Sequence, residues 1–572
     1  MIYAIADNIW SPLGETTAEN YQAVKAGRSA LRRYEHHWQL PEAFTASLFS
    51  EQQTERLLMD GLTRFESLAV RSAHDAIQRS AIDVGSPRTI FILSSTKGNI
   101  EQLATDHSPS AIHQGDDVSM GTAARRIARR LGFTTEPVVV CNACISGVAA
   151  IVLALRLLEA GTYDHAVVCG ADVQNKFTVS GFQSLKAVSE DACRPFDIER
   201  IGLNLGEAAA TIVFTNENDN QNENAGSTGS PQEGGRWAVL RGAVCNDAYH
   251  ISTPSRDGEG ARLALQEVLQ DVRPDDLAFI NAHGTATMYN DQMESKAIER
   301  AGLGDVPVNA LKGYYGHTLG AAGVLETILS MAALDDHTIL ATRGFEERGV
   351  SGKIRLSGEH QTTSKHCFVK MISGFGGGNA AVLIGDGSSV SWARHSKNRP
   401  QCAQENRPQC AISLKQIKLT PETPLTALYK ENIGDYPKYY KMDGLSRLGF
   451  VASEVLLGDR RQCRIILFNR SSSIAADRKY QASIAADDFF PSPSVFVYTL
   501  PNIVAGEIAL RQQWKTETSF YILPERNDAL MQQIVDASLK AGEQALTGWV
   551  DYEDDTHYEA ELLLVRKMTN DK

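Results

Sequence analysis

The stretch Pro137 to Leu155 reads PVVVCNACISGVAAIVLAL and carries no charge over 19 residues. That is close to the ~20 apolar residues of a membrane-spanning helix, but the composition is divided. Val138, Val139 and Val140 are β-branched and suit a strand, whereas Val148 to Leu155 is rich in Ala and Leu and suits a helix. Asn142, Ser146 and Gly147 supply a turn between them. The stretch therefore predicts a buried strand feeding a buried helix, with Cys144 at the junction. A thiol there meets unpaired N–H groups and the helix dipole, which favour thiolate and can lower its pKa to ~3.5–7.5. A lone cysteine in an apolar run reads equally as a small buried hydrophobe, and Cys141 keeps that reading.

Outward from this stretch, apolar β-rich runs alternate with helical runs through the first 388 residues: Thr89 to Ser94 (TIFILS), His165 to Ala171 (HAVVCGA), Ala209 to Phe214 (AATIVF) and Leu277 to Asn281 (LAFIN). Alternation of this kind predicts layered α/β architecture. The 572 residues, 43% of them hydrophobic and 22% charged, suffice for three to four units of ~150 residues. Lys and Arg number 56 against 69 Asp and Glu, and the net charge of −13 argues against a nucleic-acid partner. Met1 to Gly14 has no early Lys or Arg, unlike a secretory leader. Nine cysteines spread along the chain form neither a disulfide framework nor a zinc pattern, so reduced thiols in a cytoplasm are expected.

Two segments break the alternation. Asn216 to Gly235 is polar and low in complexity, and Asn398 to Ser413 repeats NRPQCAQE as NRPQCAIS within a linker. The expected organisation is 1–240, 241–388, a linker at 389–413, and a tail at 414–572. The tail echoes the beginning of the chain in order. Lys441 to Arg447 (KMDGLSR) matches Leu58 to Arg64 (LMDGLTR), Arg464 to Ser473 matches Thr89 to Gly98, and Val495 to Arg511 takes the place of Val138 to Arg156. On that alignment Thr499, or Pro501 or Asn502 after a small shift, stands opposite Cys144, so the tail is a shortened, catalytically silent copy.

Three further loops carry chemistry. NAHGTAT (Asn281 to Thr287) places His283 at the end of a strand, KGYYGHTLG (Lys312 to Gly320) places His317 in a second Gly-rich loop, and ISGFGGGN (Ile372 to Asn379) is a glycine turn whose N–H groups can face an oxyanion. A lone His or Gly loop is usually structural; four such sites at element ends are poorly explained that way.

These residues resemble the elongating β-ketoacyl-acyl-carrier-protein synthases of the thiolase superfamily. The resemblance covers roughly residues 1 to 388. It runs through Ser11-Pro12-Leu13-Gly14, Ala143-Cys144-Ile145-Ser146-Gly147, Arg194-Pro195-Phe196-Asp197, Leu205-Gly206-Glu207 and Asp247-Ala248-Tyr249-His250. It continues in HGTAT with Asn290-Asp291, in Lys312 with Gly316-His317, in Gly320-Ala321-Ala322-Gly323 with Glu326, and in Gly374-Phe375-Gly376-Gly377.

The resemblance implies a five-layered αβαβα fold of two related halves, a Cys144-His283-His317 catalytic set, and decarboxylative condensation of an acyl-enzyme with malonyl-acyl-carrier protein. It implies an oxyanion hole from the N–H groups of Cys144 and Phe375, with Lys312 orienting the histidines and Glu326, Gly376 and Gly377 in support. No metal or cofactor is implied beyond the phosphopantetheine of acyl carrier protein, and a homodimer or a ketosynthase-like partner subunit is expected, with no membrane span. Phe375, Ser373, Leu203, Tyr314 and Tyr315 are candidates for lining or gating the acyl site. Arg64, Arg125, Arg126, Arg129 and Arg130 are candidates for docking the acidic carrier. The tail resembles a degenerate ketosynthase partner, serving either as an imitation of a second subunit or as an accessory domain. Two other readings compete: acyl transfer without decarboxylation, and a non-catalytic chain-length or scaffold subunit.

Overall fold

Val138–Val140 form a strand and Ser146–Glu159 a helix, joined by a tight turn at Ala143–Ile145, as the opening stretch predicts. The computed structural model describes residues 1–104, 118–216, 237–386, 411–457, 462–484 and 489–568. Most of the polar insertion and of the expected linker lies outside these residues.

Fifteen of the sixteen strands of the main sheet fall into three groups of five. The first comprises β1 (Ile2–Trp10), β2 (Thr89–Ser94), β3 (Val138–Val140), β4 (His165–Asp172) and β5 (Ala208–Asn216). The second comprises β6 (Trp237–Asn246), β7 (Phe279–Asn281), β8 (Pro307–Asn309), β9 (Cys367–Gly374) and β10 (Gly378–Asp386). The tail supplies β11 (Ile412–Leu419), β12 (Arg464–Asn469), β13 (Thr518–Ile522), β14 (Gln544–Asp554) and β15 (His557–Arg566). In each group the spatial order is first, fifth, fourth, second, third: β1-β5-β4-β2-β3, β6-β10-β9-β7-β8 and β11-β15-β14-β12-β13. The fifth strand runs antiparallel to its neighbours and the rest are parallel.

The helices used below are α1 (Arg64–Ser80), α2 (Met120–Leu131), α3 (Ser146–Glu159), α4 (Lys176–Ser184), α5 (Glu259–Val268), α6 (Met288–Arg300) and α7 (Ala322–Asp335). The tail adds α8 (Gly444–Leu456), α9 (Ile474–Ser483), α10 (Pro493–Tyr498), α11 (Ile503–Gln512) and α12 (Asp528–Ser538). α1 opens on a reciprocal Thr63–Glu66 capping box. α3 and α7 are apolar almost all round and touch each other and both sheets, so they form the middle layer. With α1 outside the first sheet and α5 and α6 outside the second, the first two groups build the five layers αβαβα. Among the described residues no helix is long and apolar enough to cross a membrane.

The tail joins the body edge to edge. β13 pairs antiparallel with β3, Tyr521 opposite Val140 and Ile522 opposite Val139. The bond pattern extends past the strand: Cys141 N–H donates to the Phe520 carbonyl at 3.1 Å and the Phe520 N–H to Asn142 Oδ1 at 2.7 Å. In the first group Ser94 lies beside Val140, the last residue of β3, and in the tail Asn469 lies beside Ile522, the last residue of β13. Counting four residues past each strand, Arg526 stands where Cys144 stands. The alignment of Val495 to Arg511 with the nucleophile segment is therefore wrong: those residues form α10 and α11, not a strand and helix. A short run of Val and Phe is ambiguous between the two when it is wholly buried.

The junction is dry and charged. Glu517, 2% exposed, accepts from Arg156 of α3 at 2.8 Å and from Arg464 at 2.6 Å. Burial alone would raise its pKa; Arg156 and Arg464 overcome this and hold it at about 2. Lys97 of the body pairs with Asp477 of α9 at 3.1 Å, both side chains nearly inaccessible. Phe177 and Phe182 of α4 pack on Tyr480 and Phe496 of the tail. A depressed carboxylate stabilises the fold above its ordinary pKa of 4.5 and loses that contribution as pH falls toward 2. Glu517→Gln leaves two guanidinium groups short of their counter-charge and is expected to cost about 3 kcal/mol at neutral pH. Urea unfolding at pH 7 checks this, and the gap between variant and wild type narrows at about pH 3.

Candidate functional site

Cys144 lies two residues before the Ser146 start of α3, where the chain must leave β3 and enter the middle layer. The glycine turn reaches it from β9: a Cβ on Gly374 would sit 3.1 Å from the Cys144 nitrogen, so any larger residue would press on the Cys144 backbone. The N–H groups of Cys144 and Phe375 both face Sγ, and each favours its thiolate. Burial is the larger effect, and despite Lys312 it pushes the thiol up to about 12. The helix dipole does not produce the resting thiolate that the junction alone suggested, because burial of the thiol outweighs it. Cys141 completes a Cys-x-x-Cys spacing with Cys144, but both thiols are free and Cys141 Sγ faces the Thr96 carbonyl at 3.8 Å.

His283 leaves β7 on the loop before α6. The carboxylates of α6 hold that loop by its backbone: Glu294 accepts from His283 N–H at 2.7 Å and Gly284 N–H at 2.8 Å, and Asp291 from Thr285 N–H at 3.0 Å. His317 follows Gly316, whose φ of +69° suits glycine. The Leu319 N–H donates to His317 Nδ1 at 3.3 Å, which assigns the ring proton to Nε2. Nε2 is buried and has no partner among the described residues, as is His283 Nδ1. The two rings meet edge to face at 4.9 Å, and Cys144 Sγ lies within 4.8 Å of a nitrogen of each. Burial, then Lys312, holds both imidazoles well below the usual 6.5.

All three residues line a cavity of about 350 Å³ with Ser373, Phe375 and Leu203. Ile201, Met288 and Tyr289 also line it and are exposed, forming an apolar mouth. Tyr314 and Tyr315 do not line it: they are 2% exposed core residues whose hydroxyls donate to the Ala341 carbonyl and to Asn20. As gate candidates they are set aside, because the helical turn carrying them points away from the cavity. Ser373 donates to Asn379 Oδ1 at 2.7 Å and so steadies the glycine turn. Gly376 and Gly377 adopt φ of +86° and +73°. Lys312 donates to Glu326 at 2.8 Å and to the His283 carbonyl at 2.6 Å.

The arginines divide. Arg64 is caged by Glu101, Glu207 and the Gln174 carbonyl and is not a free docking cation. Arg125, Arg126 and Arg129 line a separate cleft of about 470 Å³ between body and tail, with Arg470 and Arg478. Arg125 is paired with Glu136 and Glu525 there. Arg129 and Arg130 are exposed.

Three contributors escaped the sequence reading. Lys370 in β9 makes a second ion pair to Glu326. Asp172, at the end of β4, accepts from Ser95 Oγ at 2.8 Å and Gly320 N–H at 2.7 Å, tying the His317 loop to the first sheet. From the tail, Asn502 Nδ2 donates to the Phe375 carbonyl at 2.9 Å, and a Cβ on Gly506 would lie 2.7 Å from the Gly376 oxygen. A lysine amid the apolar run of β9 was a visible signal; Asn502 offered none.

Residues 5–220 match the Beta-ketoacyl synthase, N-terminal domain, and residues 237–346 the Beta-ketoacyl synthase, C-terminal domain. The 3-oxoacyl-[acyl-carrier-protein] synthase 2 of Vibrio cholerae is 28% identical over 414 residues, covering 65% of this chain and 96% of its own length. A solved complex of the ketosynthase ApeO with its chain length factor ApeC from Xenorhabdus doucetiae matches at 25% identity and a TM-score of 0.55, over 67% of this chain and 98% of that one. The PfaC keto synthase-chain length factor structure matches 99% of this chain and 78% of its own, with a TM-score of 0.72 at 15% identity, a likeness of fold that extends through the tail. The elevated thiol pKa has a direct consequence. Iodoacetamide alkylation of Cys144, followed by peptide mapping, is expected to be slower than that of free cysteine at pH 8 and to rise with pH without a plateau below pH 9.

Proposed function

The chain belongs to the β-ketoacyl synthase family, and from that membership we propose that it condenses a Cys144-bound acyl group with a malonyl unit, both delivered by acyl carrier proteins. The observation that carries the reading is the meeting of a thiol, two uncharged imidazoles and two aimed backbone N–H groups in one dry cavity. In the first step Cys144 sulfur attacks the carbonyl carbon of an acyl thioester. The carrier thiol leaves with the proton that the cysteine gives up, and the N–H groups of Cys144 and Phe375 receive the oxyanion. An imidazole beside the thiol supplies the acceptor that lets deprotonation accompany attack, which a resting thiol raised to about 12 requires.

Malonyl carrier protein then enters. Cleavage of its carboxylate–carbon bond releases CO2 and leaves an enolate, whose oxygen takes hydrogen bonds from His283 and His317. The enolate carbon attacks the acyl carbonyl, the C–S bond to Cys144 breaks, and the thiol recovers a proton. The ring proton placed on His317 Nε2 favours this reading over acyl transfer without decarboxylation, since a donor there serves an enolate oxygen.

The tail supports a second part of the proposal. Its strand order, its antiparallel docking on the β3 edge and Arg526 at the nucleophile position support the reading of residues 414–572 as a silent half-subunit standing in for a dimer partner. On that reading the chain is self-sufficient at this edge and needs carrier proteins as its partners. Asn502 then gives the tail a hand in the chemistry, because it fixes the carbonyl next to the oxyanion N–H.

Intact-protein mass after mixing with a panel of acyl carrier proteins, then malonyl carrier protein, tests the reaction. The expected outcome is an acyl adduct on wild type, none on Cys144→Ala, and release of a two-carbon-longer ketoacyl product. An equal adduct on Cys144→Ala refutes the assignment. Asn502→Ala is expected to slow acylation on the order of tenfold while leaving the melting temperature near wild type.

A further inference from the structure

Glu326 of α7 is 2% exposed and holds two ammonium groups at once. Lys312 Nζ binds Oε1 at 2.8 Å and Lys370 Nζ binds Oε2. Lys370 lies in the middle of β9 with no exposed surface. The family resemblance gives parts to Lys312 and Glu326 and none to Lys370.

The two lysines also grip successive carbonyls. Lys370 Nζ donates to the Ala282 carbonyl at 3.2 Å and Lys312 Nζ to that of His283 at 2.6 Å. From the opposite side Glu294 accepts the N–H groups of His283 and Gly284. The backbone that aims the His283 ring is thus held on both sides. One Lys–Glu pair would be neutral; Lys370 brings a second positive charge to the same carboxylate, and Glu294, which burial and Asp291 push up to about 7, faces it as well.

We propose that Lys370 is a positioning residue for decarboxylation: it fixes Glu326 and the Ala282–His283 backbone, and its positive charge helps to keep His283 and His317 as uncharged hydrogen-bond donors. The inference rests on the condensing function argued above. The other ionisable groups facing this cluster are Lys312 and Glu326, Glu294 with Asp291 behind it from α6, and Cys144 from the nucleophile turn. After burial and Lys312, Lys370 contributes to holding both imidazoles low. The chemical reason is product fidelity. An imidazolium beside the enolate would protonate its carbon, giving CO2 and an acetyl carrier protein in place of the ketoacyl product, whereas a neutral donor stabilises the oxygen and leaves the carbon free to attack.

The test compares wild type, Lys370→Met and the double variant Lys370→Met/Glu326→Gln for ketoacyl and acetyl carrier products between about pH 5.5 and 8. Acyl loading of Cys144 by mass serves as the check that each protein is folded. Lys370→Met removes one positive charge from the cluster, so histidine pKa values rise. The acid limb of ketoacyl formation is expected to move up by on the order of one pH unit, with more acetyl product below neutrality. The double variant removes one charge of each sign and so restores the net charge of wild type, and its limb returns toward wild type, which a packing role would not produce. Should Lys370→Met fail to load, Lys370→Gln, which keeps a donor for the Ala282 carbonyl without the charge, is expected to show the same shift. A uniform loss of rate with unchanged limb and product ratio overturns the proposal. A wild type that loads acyl groups yet releases no CO2 overturns the condensing reading, and this one with it.

Discussion

Everything at the site depends on how closely α3 and α7 cross. A Cβ on Gly147 would stand 2.9 Å from the Val324 nitrogen, and one on Gly323 would stand 2.5 Å from the Val148 nitrogen. Two backbones in such contact leave no room for side chains between them, and the crossing is fixed by sterics more than by attraction. Cys144 precedes the first helix and the His317 loop precedes the second, so the crossing sets the distance between thiol and imidazole. Gly320 extends the seam, where a Cβ would fall 2.7 Å from the Ser95 Cα, and Asp172 fastens the same point by a hydrogen bond.

Around this seam the protein keeps formal charge one layer away from the reacting atoms. Beside Cys144 the wall presents two uncharged rings, while Lys312, Lys370, Glu326 and Glu294 act on the backbone behind them; Lys186 and Asp247 line the same cavity. In a dry site a charge on the wall would be costly before substrate arrives, whereas N–H groups and ring protons are dipoles that need no counter-ion. The nucleophile junction read in isolation suggests a thiolate; the surrounding burial reverses that, since desolvation outweighs the dipole of one helix.

Much of this was legible in the chain. The Val138–Val140 strand, the four loops carrying Cys144, His283, His317 and Phe375, and the layered α/β class all follow from residue order, because each depends on local pattern and on glycines with local reasons. What was illegible depends on partners distant in sequence. Tyr314 and Tyr315 sit beside a catalytic loop in sequence yet face the core. Arg64 looks free until Glu101 and Glu207 fold around it. The tail's middle segment failed for a related reason: Val495 to Tyr498 is a buried turn of helix, and periodicity carries no signal when every face is covered.

The tail answers a constraint of its own. β3 is a strand edge only three residues long, and an unpaired edge beside a catalytic turn exposes backbone donors and acceptors to any passing strand. β13 closes it, and Glu517, Asp477 and the Tyr480–Phe496 pair secure the closure with contacts that none of the tail's own strand ends need provide. Past the edge that docks it, β13 runs on into Pro524, Glu525 and Arg526, where β3 runs on into the Cys144 turn. The edge is made of backbone bonds and buried side chains, and these are indifferent to whether the fourth residue past the strand is a thiol or a guanidinium. What the body gains from such a unit is registered at Phe375, whose carbonyl is tied down by Asn502 from outside the catalytic half.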